Sequence, residues 1–247
     1  MVTVRRDLTE RFDRTYVINL PQRQDRLHYI HAEFARAGIS LEAGRVEVFA
    51  AIRPDTAKGF PSIGARGCFL SHRGVILSAM RHKAERVLVM EDDLAFGDRL
   101  LDGADEMLDG LDAMEWGLAY LGHNLKLPHC TPPQFLATAA SSVGAHFYAV
   151  QGEAIPLLAN YLDAVLAREP GDPAGGPMHY DGALTMFRQA HPSVCTVAAS
   201  EPLGYQRSSR SDITPRAWDK VPIVRDLARL SRRLRTSVTH KPAAPSS

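Results

Sequence analysis

The stretch Arg86-Val87-Leu88-Val89-Met90-Glu91-Asp92-Asp93 constrains this chain most. Four consecutive apolar residues, two of them β-branched, predict a buried strand. Three carboxylates follow at once, where the strand should end. Adjacent acids repel, and their crowding raises their pKa values unless a cation compensates. Carboxylates at the end of a buried strand suit a hard divalent ion, Mg²⁺ or Mn²⁺, that also grips phosphate oxygens. One reading is therefore a metal-assisted active site on an α/β sheet. The other is an acidic helix N-terminus, which the helix dipole favours.

The surrounding pattern supports a sheet. Tyr16–Leu20 and Val46–Ala51 read as strands before the acidic one, and Trp116–Leu121, Ala145–Val150 and Val194–Ala198 as strands after it. Between the first two, Leu27, Ile30, Phe34 and Ala37 recur at helical spacing, with Pro21 placed for the first turn and Gly38 for the close. Ser62 can cap a helix carrying Phe69, Leu70, Val75, Ile76 and Met80. A polar helix over Asp98–Leu111, helices over Glu153–Leu166 and Asp181–Phe187, and a Gly/Pro loop over residues 170–177 complete the reading. Alternating strands and helices predict an α/β fold with a mostly parallel central sheet flanked by helices. Ligands of such sheets sit beyond the carboxyl ends of the strands, where Asn19, Ala51 and Glu91–Asp93 would lie.

Bulk numbers exclude several classes. A net charge of +1 over 247 residues gives no global field for nucleic acid. Cys68, Cys130 and Cys195 are odd in number and widely spaced, which suits a reducing cytosol better than a disulfide framework. Charged Met1–Arg14 does not read as a signal peptide, and no run is long enough to span a membrane.

Two further motifs carry chemistry. Arg23 and Arg26, three apart at a helix start, share a face and can cradle a diphosphate; a solvated charged face is the alternative. In Gly64-Ala65-Arg66-Gly67-Cys68-Phe69-Leu70-Ser71-His72, two glycines before a helix permit a close backbone approach, and Ser71 and His72 can hydrogen-bond a ligand. A lone helical histidine can equally be a structural partner.

Together these segments resemble glycosyltransferase family 25, the lipooligosaccharide-biosynthesis and collagen-galactosyltransferase group. The Ile18-Asn19-Leu20 strand with its Arg-rich exit, the Gly-x-x-Gly-Cys-x-Leu-Ser-His segment and the strand ending in Glu-Asp-Asp occur in the family's order. Gly144–Val150, Asp181-Gly182-Ala183-Leu184 and Gln206–Ile213 resemble its later segments. Ala65, Arg66, Gly182 and Ala50-Ala51-Ile52 depart from the usual pattern.

The resemblance implies a GT-A-like (Rossmann-like) fold over residues 15–213, after an N-terminal extension over 1–14. It implies an inverting transfer of a hexose such as galactose from a nucleotide-diphosphate sugar, UDP-linked in expectation. The acceptor would be a glycan or lipid-linked glycan of lipopolysaccharide biosynthesis. On this reading Asp93 ligates Mn²⁺ or Mg²⁺ directly, and Glu91 acts through water or the ribose. Asp92 orients either one, and Asn19, Arg23, Arg26, Ser71 and His72 contact the donor. Asp181 is the leading general base; capping a helix that begins at Gly182 is its alternative role. His72, His146 and His179 are further base candidates.

Residues 214–235 form a separate expected segment. Ile223, Leu227, Leu230 and Leu234 fall on one helical face, and five arginines against Asp226 give +4 over Val221–Arg235. Such a basic amphipathic helix can lie on an anionic membrane surface, or pack its leucines on the domain. Residues 236–247 read as a disordered tail. The expected location is cytoplasmic, peripheral on the inner membrane face. Two other functions compete: a non-catalytic nucleotide-sugar binding protein, and a Mg²⁺-dependent phosphohydrolase, which lacks a nucleophilic Asp where Asn19 stands.

Overall fold

Each strand of the central sheet sends alternate side chains to opposite faces. Tyr16, Ile18, Val87, Val89, Leu118, Tyr120, Tyr148 and Val150 fill one core layer. Val17, Leu88, Met90, Ala119, Leu121, Phe147 and Ala149 fill the other. A sheet apolar on both faces must be covered by helices on both, and it is. This computed structural model describes residues 7–40, 45–141 and 144–207.

The strands are β1 (Arg14–Asn19), β2 (Val46–Ala50), β3 (Arg86–Glu91), β4 (Leu94–Phe96), β5 (Leu118–Gly122), β6 (Phe135–Ala137), β7 (Phe147–Gln151), β8 (Thr196–Ala199) and β9 (Gly204–Gln206). The helices are α1 (Gln24–Ala37), α2 (Ile63–Arg81), α3 (Asp98–Asp102), α4 (Asp105–Asp112), α5 (Ala154–Ala167) and α6 (Tyr180–Ala190). Seven strands form the main sheet in the order β2-β1-β3-β7-β5-β8-β6, and β4 pairs with β9 separately. β1, β2, β3, β5 and β8 run one way, with β7 and β6 against them. The sheet is thus mostly parallel but mixed, as a GT-A-like α/β architecture requires. Helices α2, α5 and α6 pack into the first core layer, and α1, α3 and α4 into the second.

Local chemistry sets the element ends. Gly38 closes α1 at φ 68°, a left-handed conformation that glycine adopts without penalty. Ser62 caps α2 as expected, its hydroxyl accepting from Ala65 N at 2.9 Å. Three expectations shift. Pro21 lies in a turn, and α1 begins only at Gln24. Gly64 and Gly67 sit inside α2 rather than before it. The expected Asp98–Leu111 helix breaks at Gly103, φ 114°, into α3 and α4. The three-residue strands β4, β6 and β9 are too short to show a period in sequence.

Residues ahead of β1 pack onto the sheet. Leu8 and Phe12 are buried in the second core layer. The Arg11 guanidinium, itself buried, reaches Asp112 at 2.6 Å, Asp109 at 2.7 Å and Asp105 at 3.3 Å on α4. All three cysteines are free. No described helix is long and apolar enough to cross a membrane. The expected amphipathic helix over 221–235, the tail over 236–247 and the Ser208–Ile213 end of the domain lie outside the described residues.

Candidate active site

Parallel pairing of β1 with β3 puts Ile18 opposite Glu91, so the ends of both strands reach one edge. Asn19 is buried there. Its Nδ2 donates to Asp92 Oδ2 at 2.8 Å and to the Arg23 carbonyl at 3.2 Å. Arg26, in the first turn of α1, donates to Asp92 Oδ1 at 2.9 Å and lies 3.6 Å from Asp93 Oδ2. Asp92 is therefore gripped through both oxygens, which ties the β1 exit to the acidic turn. Burial raises its pKa, opposed by Arg26 and Asn19. Arg23 stands at the N-cap of α1. Its guanidinium forks onto Asp25 at 2.8 and 2.9 Å and holds that carboxyl down at about 2.

Glu91 ends β3 between two hydrogen-bond donors. Its Oε1 meets His72 Nε2 at 3.1 Å, and its Oε2 accepts from Gln206 Nε2 at 3.1 Å. Burial pushes the Glu91 carboxyl up, but His72, together with His146 and Arg26, leaves its pKa below the ordinary value. Behind Glu91 runs a buried polar chain. His72 Nδ1 lies 3.1 Å from Tyr148 Oη, which lies 2.9 Å from Tyr180 Oη. The His72 ring stacks on Tyr180, centroids 4.1 Å apart and planes 10° off parallel. With a proton on Nε2, that nitrogen donates to Glu91, and Nδ1 can accept from Tyr148.

Asp93 is different. It is buried, yet among the described residues its Oδ1 has no hydrogen-bond partner. Among the described residues its Oδ2 meets Gln206 Nε2 at 3.4 Å and Arg26 at 3.6 Å. Burial first, then the charge of Glu91, raise its pKa to about 7. A buried carboxylate oxygen without a donor, beside a second carboxylate, is the environment that a hard divalent cation relieves. The all-oxygen donor set fits Mg²⁺ or Mn²⁺.

The remaining expected residues divide. Asp181 lies in the first turn of α6, whose N-cap is His179, so the helix starts at Tyr180 rather than Gly182. Its Oδ1 accepts from Gly182 N at 2.8 Å and its Oδ2 from Gly144 N at 3.2 Å. Gly144 lies two residues before His146, whose carbonyl accepts from Glu91 N at 2.9 Å, which places Asp181 at the same edge as the acidic turn. Ser71 is buried and turned inward: it donates to the Gly67 carbonyl at 2.7 Å and accepts from Ile52 N at 2.8 Å. It joins α2 to the loop after β2. A Cβ on Gly67 would stand 2.7 Å from the Ile52 carbonyl oxygen, so this glycine serves the same close approach. His146 precedes β7 with its ring buried, burial lowering its pKa, and His179 is exposed. Sequence reading passed over Gln206, Tyr148 and Tyr180. Gln206 was visible in the closing motif, but its reach to Glu91 depends on β9 pairing with β4, which no short-range signal announced.

Residues 12–140 match the family described as glycosyltransferase family 25 (LPS biosynthesis protein). Procollagen galactosyltransferase 2 of Mus musculus and that of Homo sapiens are each 24% identical over 205 residues, 73% of this chain. The chain spans 31% of the length of these relatives. Among solved structures, a glycosyltransferase involved in glycosylation of the major capsid of PBCV-1 superposes with a TM-score of 0.48 at 10% identity, covering 80% of this chain and 93% of that one. A mannose-1-phosphate geranyltransferase from Thermus thermophilus gives 0.31 at 14% identity, covering 79% and 59%. Both scores are low, and the fold rests on the strand order given above. The family match includes β1, α1, the His72 helix and the acidic turn, over more than half of the sequence; the chain belongs to glycosyltransferase family 25.

Proposed function

We propose that this chain is a metal-dependent inverting glycosyltransferase. It moves a hexose, galactose in the first instance, from a UDP-sugar to a glycan or lipid-linked glycan acceptor. The observation that carries this reading is the buried Asp93 oxygen, unpartnered among the described residues, beside Glu91 at the carboxyl edge of the sheet. Galactose is taken from the printed names of the relatives, and a lipopolysaccharide acceptor from the family description.

Asp93 would hold Mn²⁺ or Mg²⁺ directly. Glu91 keeps lone pairs beyond those given to His72 and Gln206, and would act on a metal-bound water or the ribose. When bound, the ion supplies Lewis-acid stabilisation of the departing nucleoside diphosphate. Asp92 and Asn19 fix the turn that presents Asp93. Arg26 adds positive charge beside the diphosphate while holding Asp92. Arg23, at the N-cap of α1, would contact the donor. Asp181 removes the proton of the acceptor hydroxyl as it attacks the anomeric carbon, a contribution of about 10²–10⁴-fold in rate. The sugar passes through an oxocarbenium-like state, by analogy with glycoside hydrolysis. The basic segment 221–235 would hold the enzyme against an anionic inner-membrane surface, near a lipid-linked acceptor.

The test is transfer from a panel of nucleotide sugars, with Mn²⁺, onto glycan and lipooligosaccharide acceptors, reading the product's anomeric configuration by NMR. A single inverted linkage supports the proposal. A retained linkage removes the inverting mechanism. Metal-dependent donor binding without transfer to any acceptor favours a nucleotide-sugar binding protein instead.

A further inference from the structure

Cys68 and His72 stand four residues apart on α2, so they share a face, and that face meets Glu91. One ligand atom of each of the three residues lies within 4.8 Å of the other two. The His72 Nε2 to Glu91 Oε1 separation is already 3.1 Å. Two ligands of a tetrahedral ion with bonds of about 2.0–2.1 Å stand roughly 3.3 Å apart, so an ion can replace the shared proton with little movement. A thiolate bond of about 2.3 Å calls for roughly 3.5 Å from sulfur to its neighbours, so the Cys68 side chain closes by little more than about 1 Å.

We propose that Cys68, His72 and Glu91 form a second cation site, for a thiophilic divalent ion such as Zn²⁺. This site takes Glu91 away from the proposed Mg²⁺ or Mn²⁺ site.

The donor set decides the ion. Sulfur, imidazole nitrogen and a single carboxylate oxygen favour Zn²⁺ or Co²⁺ over Mg²⁺. Tyr148 and Tyr180 supply the support that a metal-bound histidine needs on its other nitrogen. On binding, His72 keeps one proton but carries it on Nδ1, donating to Tyr148, which donates in turn to Tyr180. Both hydroxyls can reverse direction. Cys68 releases its thiol proton to solvent, one per ion bound. Cys68 is half-buried, and it has no role in the proposed transfer reaction. Ion binding does not depend on the proposed function; only the competition for Glu91 rests on that reading.

Co²⁺ is the probe, titrated into the full chain. The expected result is one equivalent with a near-ultraviolet thiolate-to-cobalt charge-transfer band, displaced by Zn²⁺. The band should vanish in Cys68→Ser and persist in Cys130→Ser and Cys195→Ser. Tyr148→Phe should keep the band but weaken Co²⁺ binding about 10–100-fold, as loss of a supporting hydrogen bond does. Equal unfolding midpoints of wild type and Cys68→Ser without metal confirm that the variant folds. If Cys68→Ser misfolds, blocking of Cys68 alkylation by Zn²⁺ in the wild type replaces it. An unchanged band in Cys68→Ser, no band in wild type, or alkylation unaffected by Zn²⁺ overturns the site. In a donor-cleavage assay, Zn²⁺ should inhibit wild type competitively with Mn²⁺ and leave Cys68→Ser at least about tenfold less sensitive. A cobalt band without that competition leaves the thiol site standing and overturns the sharing of Glu91.

Discussion

Replacing Asp93 by Asn should stabilise the metal-free protein and abolish its stabilisation by Mn²⁺. The Asp93 carboxyl has its pKa raised from 3.8 to about 7, by burial first and by Glu91 second. About three units at 1.36 kcal/mol each correspond to about 4 kcal/mol. Glu91 shares the repulsion, so the part carried by Asp93 is on the order of 2–4 kcal/mol. The sign follows from proton counting. Between about pH 4 and 7 the folded state keeps a proton that the unfolded chain has lost, so stability falls as pH rises. Above about pH 7 the full penalty is present. Asn is neutral throughout and escapes it. Urea unfolding in EDTA should therefore show Asp93→Asn more stable than wild type by roughly 2–4 kcal/mol at about pH 8, the gap closing toward about pH 4. Mn²⁺ at about a hundred times its Kd should add about 2.7 kcal/mol to the wild type and nothing comparable to the variant. A variant less stable than wild type in EDTA at about pH 8, or Mn²⁺ stabilising both alike, would refute the reasoning.

Other substitutions separate chemistry from scaffolding. Asp181→Asn should lower turnover about 10²–10⁴-fold at unchanged donor affinity, measured by steady-state kinetics with saturating acceptor; a change confined to KM would place Asp181 in donor binding. Ser71→Ala should destabilise by about 1–2 kcal/mol in urea unfolding, because it strips partners from Ile52 N and leaves donor KM alone. A tenfold rise in donor KM would restore Ser71 to the donor site. Arg11→Ala should destabilise by about 3 kcal/mol, since it leaves Asp105, Asp109 and Asp112 without their shared cation. An unchanged urea midpoint would show that the N-terminal turn is held by Leu8 and Phe12 alone.

The sheet was legible because its signals are local. An apolar run of β-branched residues marks β3, and the Leu27, Ile30, Phe34, Ala37 period marks α1. Reversed strands left no such mark: β7 reads like any buried strand, and its direction follows only from pairing with β3 and β5. The acidic turn was found because three acids in a row are chemically costly wherever they sit. Its internal division of labour was not. Asn19, Arg26 and Asp92 close on one another across 66 to 73 residues of chain, a juxtaposition set by strand register. Arg23 and Arg26 shared a helical face in projection, but helix α1 begins between them, and Arg26 reaches Asp92 while Arg23 forks onto Asp25. The Ser-His pair looked like one motif. Adjacent helical positions diverge by about 100°, so Ser71 faces the Ile52 loop while His72 faces Glu91.

The most direct measurement is release of free nucleoside diphosphate from a panel of nucleotide sugars, with and without Mn²⁺, by wild type and Asp93→Ala. The account predicts metal-dependent release from one donor by the wild type, lost in the variant. Release that needs no divalent ion, or that survives in Asp93→Ala, would contradict the assignment of Glu91 and Asp93 as the metal site.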